Sequence, residues 1–188
     1  MCIVQQFKDD PEGTTKSLNN TSGTGLFSEV MLTSDENFAV KKSIKLHTDA
    51  WLVYALKCME LKYSWMPNIY SIVVDLENGK YVALMERLYE INEFDRFSAS
   101  EKIYPLKSIM NLEGNISLYD DLGIDNVMKR KDGEELITDP FTYTGWRDLG
   151  GRNFEDDRIQ KYIERLVNVV PNANFGNLEN VFSNASST

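Results

Sequence analysis

From Tyr119 to Phe141 the chain reads Tyr-Asp-Asp-Leu-Gly-Ile-Asp-Asn-Val-Met, a charged stretch from Lys129 to Glu135, then Leu-Ile-Thr-Asp-Pro-Phe. Two apolar pairs, Val127-Met128 and Leu136-Ile137, flank a turn marked by Asp132-Gly133. The pattern predicts a loop, a strand, a tight turn and a second strand. Such a ribbon brings Asn126 and Asp139 to one end, with Asp121 on the loop leading in. An amide oxygen and a carboxylate converging on one point suit a hard cation such as Mg²⁺, which completes its shell with waters and phosphates. Asp121 is then free to act as a base or to orient a nucleophile. Asp, Asn and Gly are also ordinary turn formers, so the same letters serve a plain surface loop.

Upstream, Ser22-Gly23-Thr24-Gly25-Leu26-Phe27-Ser28-Glu29-Val30 places two glycines one residue apart ahead of an alternating run. The alternation predicts a strand after Phe27, which makes the glycines a hairpin tip and argues against a dinucleotide fold, where a helix follows. A glycine tip lets backbone N–H groups approach the oxygens of a polyphosphate, although its plain use is to turn the chain. The next strand, Asn37-Phe38-Ala39-Val40-Lys41, ends on a lysine, with Lys42 on the opposite face. From Thr48 to Tyr63, Trp51, Leu52, Tyr54, Ala55, Cys58, Met59 and Leu61 recur at helical spacing, with Thr48 or Asp49 as N-cap. Two strands follow, Ile69 to Leu76 and Lys80 to Leu88, joined by a Glu77-Asn78-Gly79 turn.

Residues 89–101 read as an acidic, polar linker, after which Ile103, Leu106, Ile109, Met110 and Leu112 resume helical spacing. A glycine-rich segment follows Phe141. A last amphipathic helix runs from Glu155 to Val170, with Ile159, Tyr162, Ile163, Leu166 and Val167 on one face and Pro171 as its stop. The first 20 residues are polar and turn-rich, a strand at most in part, and Asn172 to Thr188 reads as a loosely packed tail.

Charge removes some function classes. A net charge of −9 opposes binding to a phosphate backbone, so no direct nucleic-acid partner is expected and basic partners are favoured. Cys2 and Cys58 make neither a disulfide framework nor a zinc spacing, and one histidine, His47, cannot build a histidine metal cluster. Lys8, Asp9 and Asp10 interrupt the apolar run of a signal peptide, and no stretch approaches the ~18 apolar residues of a membrane span, so a cytosolic protein is expected. With 42% hydrophobic and 26% charged residues, the 188-residue chain suits one globular domain or two small lobes.

Taken in order, these features resemble the protein-kinase-like fold. D-L-x-x-x-N-V-M from Asp121, with D-P-F from Asp139, resembles the catalytic loop and the metal-binding aspartate. Lys41 resembles the V-A-I-K lysine, and Met66-Pro67-Asn68-Ile69-Tyr70 resembles the H-P-N-I-V segment after the small-lobe helix. The likeness covers residues 20–145. A more specific likeness is to the small early serine/threonine kinase of short-tailed lytic bacteriophages. That family shares the G-x-G-x-F-S loop (Gly23 to Ser28), a P-N-V-Y segment matching Pro67 to Tyr70, the I-T-D-P string (Ile137 to Pro140) and a catalytic loop without His-Arg.

The resemblance implies an α+β class and a compact two-lobe protein-kinase-like fold with a reduced helical C-terminal lobe. Residues 1–20 would form an N-terminal polar segment, 21–90 a small lobe of antiparallel sheet plus one helix, and 91–188 the reduced lobe with catalytic loop and tail. It implies ATP and Mg²⁺ as cofactors, with Gly23, Gly25, Phe27, Val30, Ala39, Lys41, Met85, Glu86 and Leu88 around the nucleotide. Asn126 and Asp139 would hold the metal, Asp121 and Lys41 would be catalytic, and Glu60 or Asp49 would pair with Lys41. The implied activity is a serine/threonine protein kinase that modifies host proteins in the host cytoplasm early in infection and contributes to shut-off of host transcription. Departures from the pattern keep two other readings open. Tyr119-Asp120 replace His-Arg, Gly123 stands where a lysine usually contacts the γ-phosphate, Pro140 restrains its loop, and no A-P-E segment follows. A kinase-fold protein that inhibits a host enzyme with little or no catalysis fits these departures, as does a small-molecule phosphotransferase.

Overall fold

Strands that read as unbroken apolar runs must be covered on both faces, and two such runs organise this chain. The computed structural model of the protein describes residues 2–18, 21–24, 28–43, 50–143 and 157–182, and it mixes helices with sheets as expected. The chain opens with α1 (Ile3–Asp9) and α2 (Pro11–Lys16), followed by β1 (Thr21–Thr24), β2 (Ser28–Leu32), β3 (Phe38–Ser43) and α3 (Trp51–Leu61). The two apolar runs come next as β4 (Ile69–Asp75) and β5 (Lys80–Glu86), then β6 (Tyr89–Glu90) and the long α4 (Arg96–Gly114). β7 (Leu118–Asp120), a 3₁₀ turn (Ile124–Asn126), β8 (Val127–Lys129), β9 (Glu135–Ile137) and β10 (Phe141–Tyr143) carry the motif region. α5 (Asp157–Val169), β11 (Ala173–Phe175) and α6 (Glu179–Phe182) close the described chain.

The described residues form a six-stranded sheet in the order β1-β2-β3-β5-β4-β11, antiparallel except for β11, which lies parallel to β4. Alternate side chains go to opposite layers. Ala39, Ile72, Val74, Tyr81, Ala83 and Met85 pack with α3, α4 and α5, whereas Met31, Val40, Val73, Val82 and Leu84 pack against Phe7, Leu178 and Val181.

That second layer comes from the two ends of the chain and corrects two expectations. The first 20 residues hold two helices rather than part of a strand. Asp10 caps α2 by accepting from the Gly13 N–H at 2.8 Å, Pro11 sits in the first turn, and Phe7 is fully buried. The expected loose tail, as far as it is described (to Phe182), is packed as well. β11 extends the sheet, and the buried Asp75 carboxylate accepts from the N–H of Leu178 at 2.8 Å, the N–H of Asn78 at 2.9 Å and the Asn78 side chain at 3.0 Å. Burial pushes the Asp75 carboxyl up, but these donors and the Lys80 charge outweigh it and hold the carboxyl below its usual range.

α3 is buried from Trp51 to Met59 and packs against β4, β10 and α5. Its N-cap is Ala50, without a side-chain bond; Thr48, Asp49 and His47 lie outside the described residues. Mid-helix Lys57 is 2% exposed, and its Nζ lies 2.9 Å from Glu113 of α4 and 2.5 Å from Glu60. Glu113 also accepts from the Tyr162 hydroxyl at 2.9 Å and from Arg165 at 3.0 Å, both of α5. Three helices thus share one charge cluster. Burial raises the Glu113 carboxyl, while the bonds from Lys57 and Tyr162 and the charges of Lys57 and Arg165 outweigh it and leave its pKa lowered. A carboxyl lowered in the folded state stabilises the fold fully above its unfolded pKa of about 4.3 and loses that contribution as pH falls through the folded value. Glu113→Gln is therefore less stable than wild type at neutral pH, and the gap narrows as pH falls below the unfolded value of about 4.3 and through the lowered folded one; denaturant midpoints at neutral and acid pH check this.

α4 begins at Asp95, whose carboxylate accepts from the N–H groups of Phe97 (3.0 Å) and Ser98 (3.3 Å). Its buried stripe is Ala99, Ile103, Leu106, Met110 and Gly114, so the linker expected up to residue 101 overlaps the helix. Ile109 and Leu112, expected on that stripe, are 36% and 83% exposed. Gly114 is required by close packing: a Cβ there would lie 2.7 Å from the Tyr162 ring. Gly114→Ala is expected to cost about 1–3 kcal/mol in chemical denaturation through this overlap. Among the described residues no helix is long and apolar enough to cross a membrane.

Candidate active site

β8 and β9 form the expected ribbon, with Val127 opposite Ile137 and Met128 opposite Leu136, across a turn in which Gly133 takes φ +94°. The ribbon continues one step further, because the Thr138 N–H donates to the Asn126 carbonyl at 2.8 Å. The chain then bends at Asp139-Pro140 and returns as β10, which pairs with β7 so that Phe141 faces Asp120. The Asp121 N–H donates to the Pro140 carbonyl at 2.8 Å. Asn126 donates its side-chain Nδ2 to the Asp121 carbonyl at 2.6 Å, which turns its Oδ1 away from that bond. Leu122 is buried and anchors the loop, while Asp121 is exposed. Asp121, Asn126 and Asp139 therefore share one hydrogen-bonded turn, as the spacing predicts.

Lys41 reaches this turn from the sheet. Its side chain is 9% exposed, and its Nζ lies 3.3 Å from Asp139 Oδ2 and 4.3 Å from the centre of the Trp51 ring. Of the two acids expected to pair with Lys41, Glu60 is instead engaged by Lys57 at the far end of α3, a neighbour three residues away on the same face, and Asp49 lies outside the described residues. Lys42, on the other face, pairs with Glu29 at 3.0 Å.

Two α3 residues hold the turn that sequence reasoning treated only as apolar positions. Trp51 donates its Nε1–H to the Thr138 carbonyl at 3.0 Å, and Tyr54 donates its hydroxyl to the Ile137 carbonyl at 2.7 Å. Burial, then Cys58 and the Asp139 charge, push the Tyr54 phenol well above its ordinary value, so it stays a donor. The signal lay in their chemistry: a buried indole N–H or phenol O–H needs an acceptor.

Ala39 and Met85 are directly paired neighbours across β3 and β5, on the sheet face that Lys41 shares; Val30 and Leu88 pack on the same cluster. Gly23 lies in β1 paired with Val30, while Gly25 and Phe27 lie outside the described residues. The segment from Glu86 to Leu88 offers fewer free amides than its sequence suggests. The N–H groups of Glu86 and Arg87 already donate to the Asn68 and Asn37 carbonyls, each at 2.9 Å. The Glu86 carboxylate holds Arg130 in a two-pronged pair, Nε and Nη2 each at 2.9 Å, and accepts from the Asn68 N–H at 2.7 Å. Arg130 further binds Glu134 and the carbonyls of Ser64 and Met66, fastening the β8–β9 ribbon to the end of β5. Nothing local in its charged turn marks it for that task.

At the loop itself Lys107 of α4 pairs with Asp120 at 2.8 Å. A Cβ added at Gly123 would meet nothing within 4 Å, and its φ of −107° is open to any residue. Among the described residues no three His, Cys, Asp or Glu side chains form a metal cage. Asn126 and Asp139 instead offer one amide oxygen and one carboxylate, the partial oxygen set with which a Mg²⁺ bound chiefly by phosphates and water is held.

No family model matches the chain, and no curated protein matches it. Among solved structures, the co-crystal structure of WbdD with the kinase inhibitor LY294002 is similar at a TM-score of 0.38 and 12% identity, over 80% of this chain. The chain spans 38% of the length of that one.

Proposed function

We propose that the protein is an ATP-dependent phosphotransferase with the chemistry of a protein kinase. The meeting of Lys41 and Asp139, 98 residues apart in sequence, at the turn to which Asp121 and Asn126 are bonded carries this reading. In it, Lys41 leaves Asp139 to grip the α and β phosphates, and Gly23 and Gly25 cover them. Val30, Ala39, Met85 and Leu88 enclose the adenine, with the Leu88 amide as the hinge donor. Asn126 Oδ1 and the Asp139 carboxylate hold Mg²⁺, which when bound offsets the charge of the phosphates. Asp121 accepts the proton of the attacking hydroxyl. The resemblance to the early phage kinases supports a serine or threonine of a host protein as acceptor, modified in the bacterial cytoplasm early in infection, with host transcription as the process affected.

The test is Mg²⁺-dependent binding of a non-hydrolysable ATP analogue by calorimetry. Lys41→Met is expected to weaken it by about 10–100-fold. Equal affinity in both proteins, or none in wild type, would sink the proposal. One observation favours a second reading, a kinase-fold inhibitor of a host enzyme: Gly123 brings no cation to the transferring phosphate, and open space surrounds it. That reading predicts nucleotide binding without transfer.

A further inference from the structure

Trp51 touches Lys41 and the backbone just before Asp139, two parts of the candidate site that lie far apart in sequence. It is 1% exposed, and Tyr81 stacks on it at 5.3 Å with 21° between the rings, which fixes the plane of the indole. The Lys41 ammonium lies 4.3 Å from the ring centre, well within the range of a cation–π contact. The Nε1–H reaches the carbonyl of Thr138, the residue just before Asp139, at 3.0 Å. One turn along α3, the Tyr54 hydroxyl takes the preceding carbonyl, that of Ile137, at 2.7 Å. Two successive buried carbonyls are thus satisfied from one helix face, and the backbone that presents Asp139 cannot shift without breaking both bonds.

We infer that Trp51 is a positioning residue: its ring holds the Lys41 ammonium, its N–H holds the Thr138–Asp139 backbone, and together they set the Lys41–Asp139 separation. An aromatic face holds an ammonium without neutralising it. On its α3 side the charge of Lys41 thus meets a neutral ring, and the carboxylate it leaves for an anionic ligand is that of Asp139. A carboxylate on α3, by contrast, would compete with the ligand for that charge. The geometric assignment stands on the contacts alone; the role toward phosphates rests on the proposed nucleotide site.

The experiment uses Trp51 as its own reporter in the full chain, with Trp65→Phe and Trp146→Phe removing the other two indoles. Lys41→Met in that background is expected to shift the Trp51 emission with no nucleotide present, because the cation leaves the ring. Titrating Mg·ATP into the Lys41 protein is expected to move the emission in the same direction. Unchanged emission in Lys41→Met overturns the inference whatever the nucleotide does. A shift in Lys41→Met with no response to Mg·ATP upholds the Trp51–Lys41 contact and removes the nucleotide reading instead. Two substitutions then separate positioning from mere packing. Trp51→Phe keeps an aromatic face, though a smaller one, and loses the N–H, so analogue affinity stays within about threefold while transfer slows about tenfold. Trp51→Leu loses both contacts, and affinity also falls about tenfold. Equal losses of affinity and turnover in the two variants would contradict separate roles for ring and N–H.

Discussion

On the proposed function, Asp121→Ala is expected to lower phosphate transfer from Mg·ATP to protein by about 10²–10⁴-fold, the span of a lost general base. Nucleotide affinity stays unchanged, because the fold uses the backbone of Asp121 rather than its carboxylate. Its N–H is bound by the Pro140 carbonyl and its carbonyl by Asn126, and both bonds survive the substitution. The side chain itself is exposed, so its removal opens no cavity. Parallel measurement of analogue affinity and of label transfer distinguishes the outcomes. Transfer retained at the wild-type rate removes Asp121 from the chemistry, while a joint loss of affinity and transfer shows that the loop has been disturbed.

Lys57→Met is expected to destabilise the fold strongly. The methionine preserves most of the buried volume but leaves Glu60 and Glu113 facing one another without their shared cation. Removing one member of a buried ion pair costs about 3–5 kcal/mol. Here the two carboxylates are 37% and 36% exposed and Glu113 keeps Arg165 and Tyr162, so water and the remaining partners reduce the loss to about 2–3 kcal/mol. The double variant Lys57→Met/Glu113→Leu recovers part of it, since no carboxylate is then left without its cation on α4. Urea midpoints read both changes, and a Lys57→Met protein as stable as wild type would show that the cluster contributes nothing net.

How far the sequence foretold this molecule depended on the range of the interaction concerned. The β8–β9 ribbon was legible because its apolar pairs, its Asp132-Gly133 turn and its polar ends lie within 25 residues of one another. The α5 stripe was legible for the same reason, and all five of its named residues are buried. On α4 two apolar sets three residues apart competed; the small residues Ala99 and Gly114 decide for Ile103, Leu106 and Met110, since only that face lets Tyr162 approach. The apolar runs of β4 and β5 already required two covered faces. They did not say that α1 and the segment after β11 supply the second cover, which depends on chain ends far apart in sequence. The Glu86–Arg130 pair joins residues 44 apart and left no local trace. At the site, the partner of Lys41 was sought among acids on α3, whereas among the described residues its ammonium lies between the Asp139 carboxylate and the Trp51 ring, a contact that depends on residues distant in sequence.

The most direct test of the central claim is transfer of label from [γ-³²P]ATP with Mg²⁺ to protein, with the purified chain alone and with bacterial lysate, beside Asp139→Ala. The account predicts labelled protein in the wild-type reaction and none above background with the variant, which lacks the carboxylate that meets Lys41 and completes the metal set. Equal labelling by both proteins, or none by either while the chain still captures ATP, would contradict a phosphotransferase built on this turn.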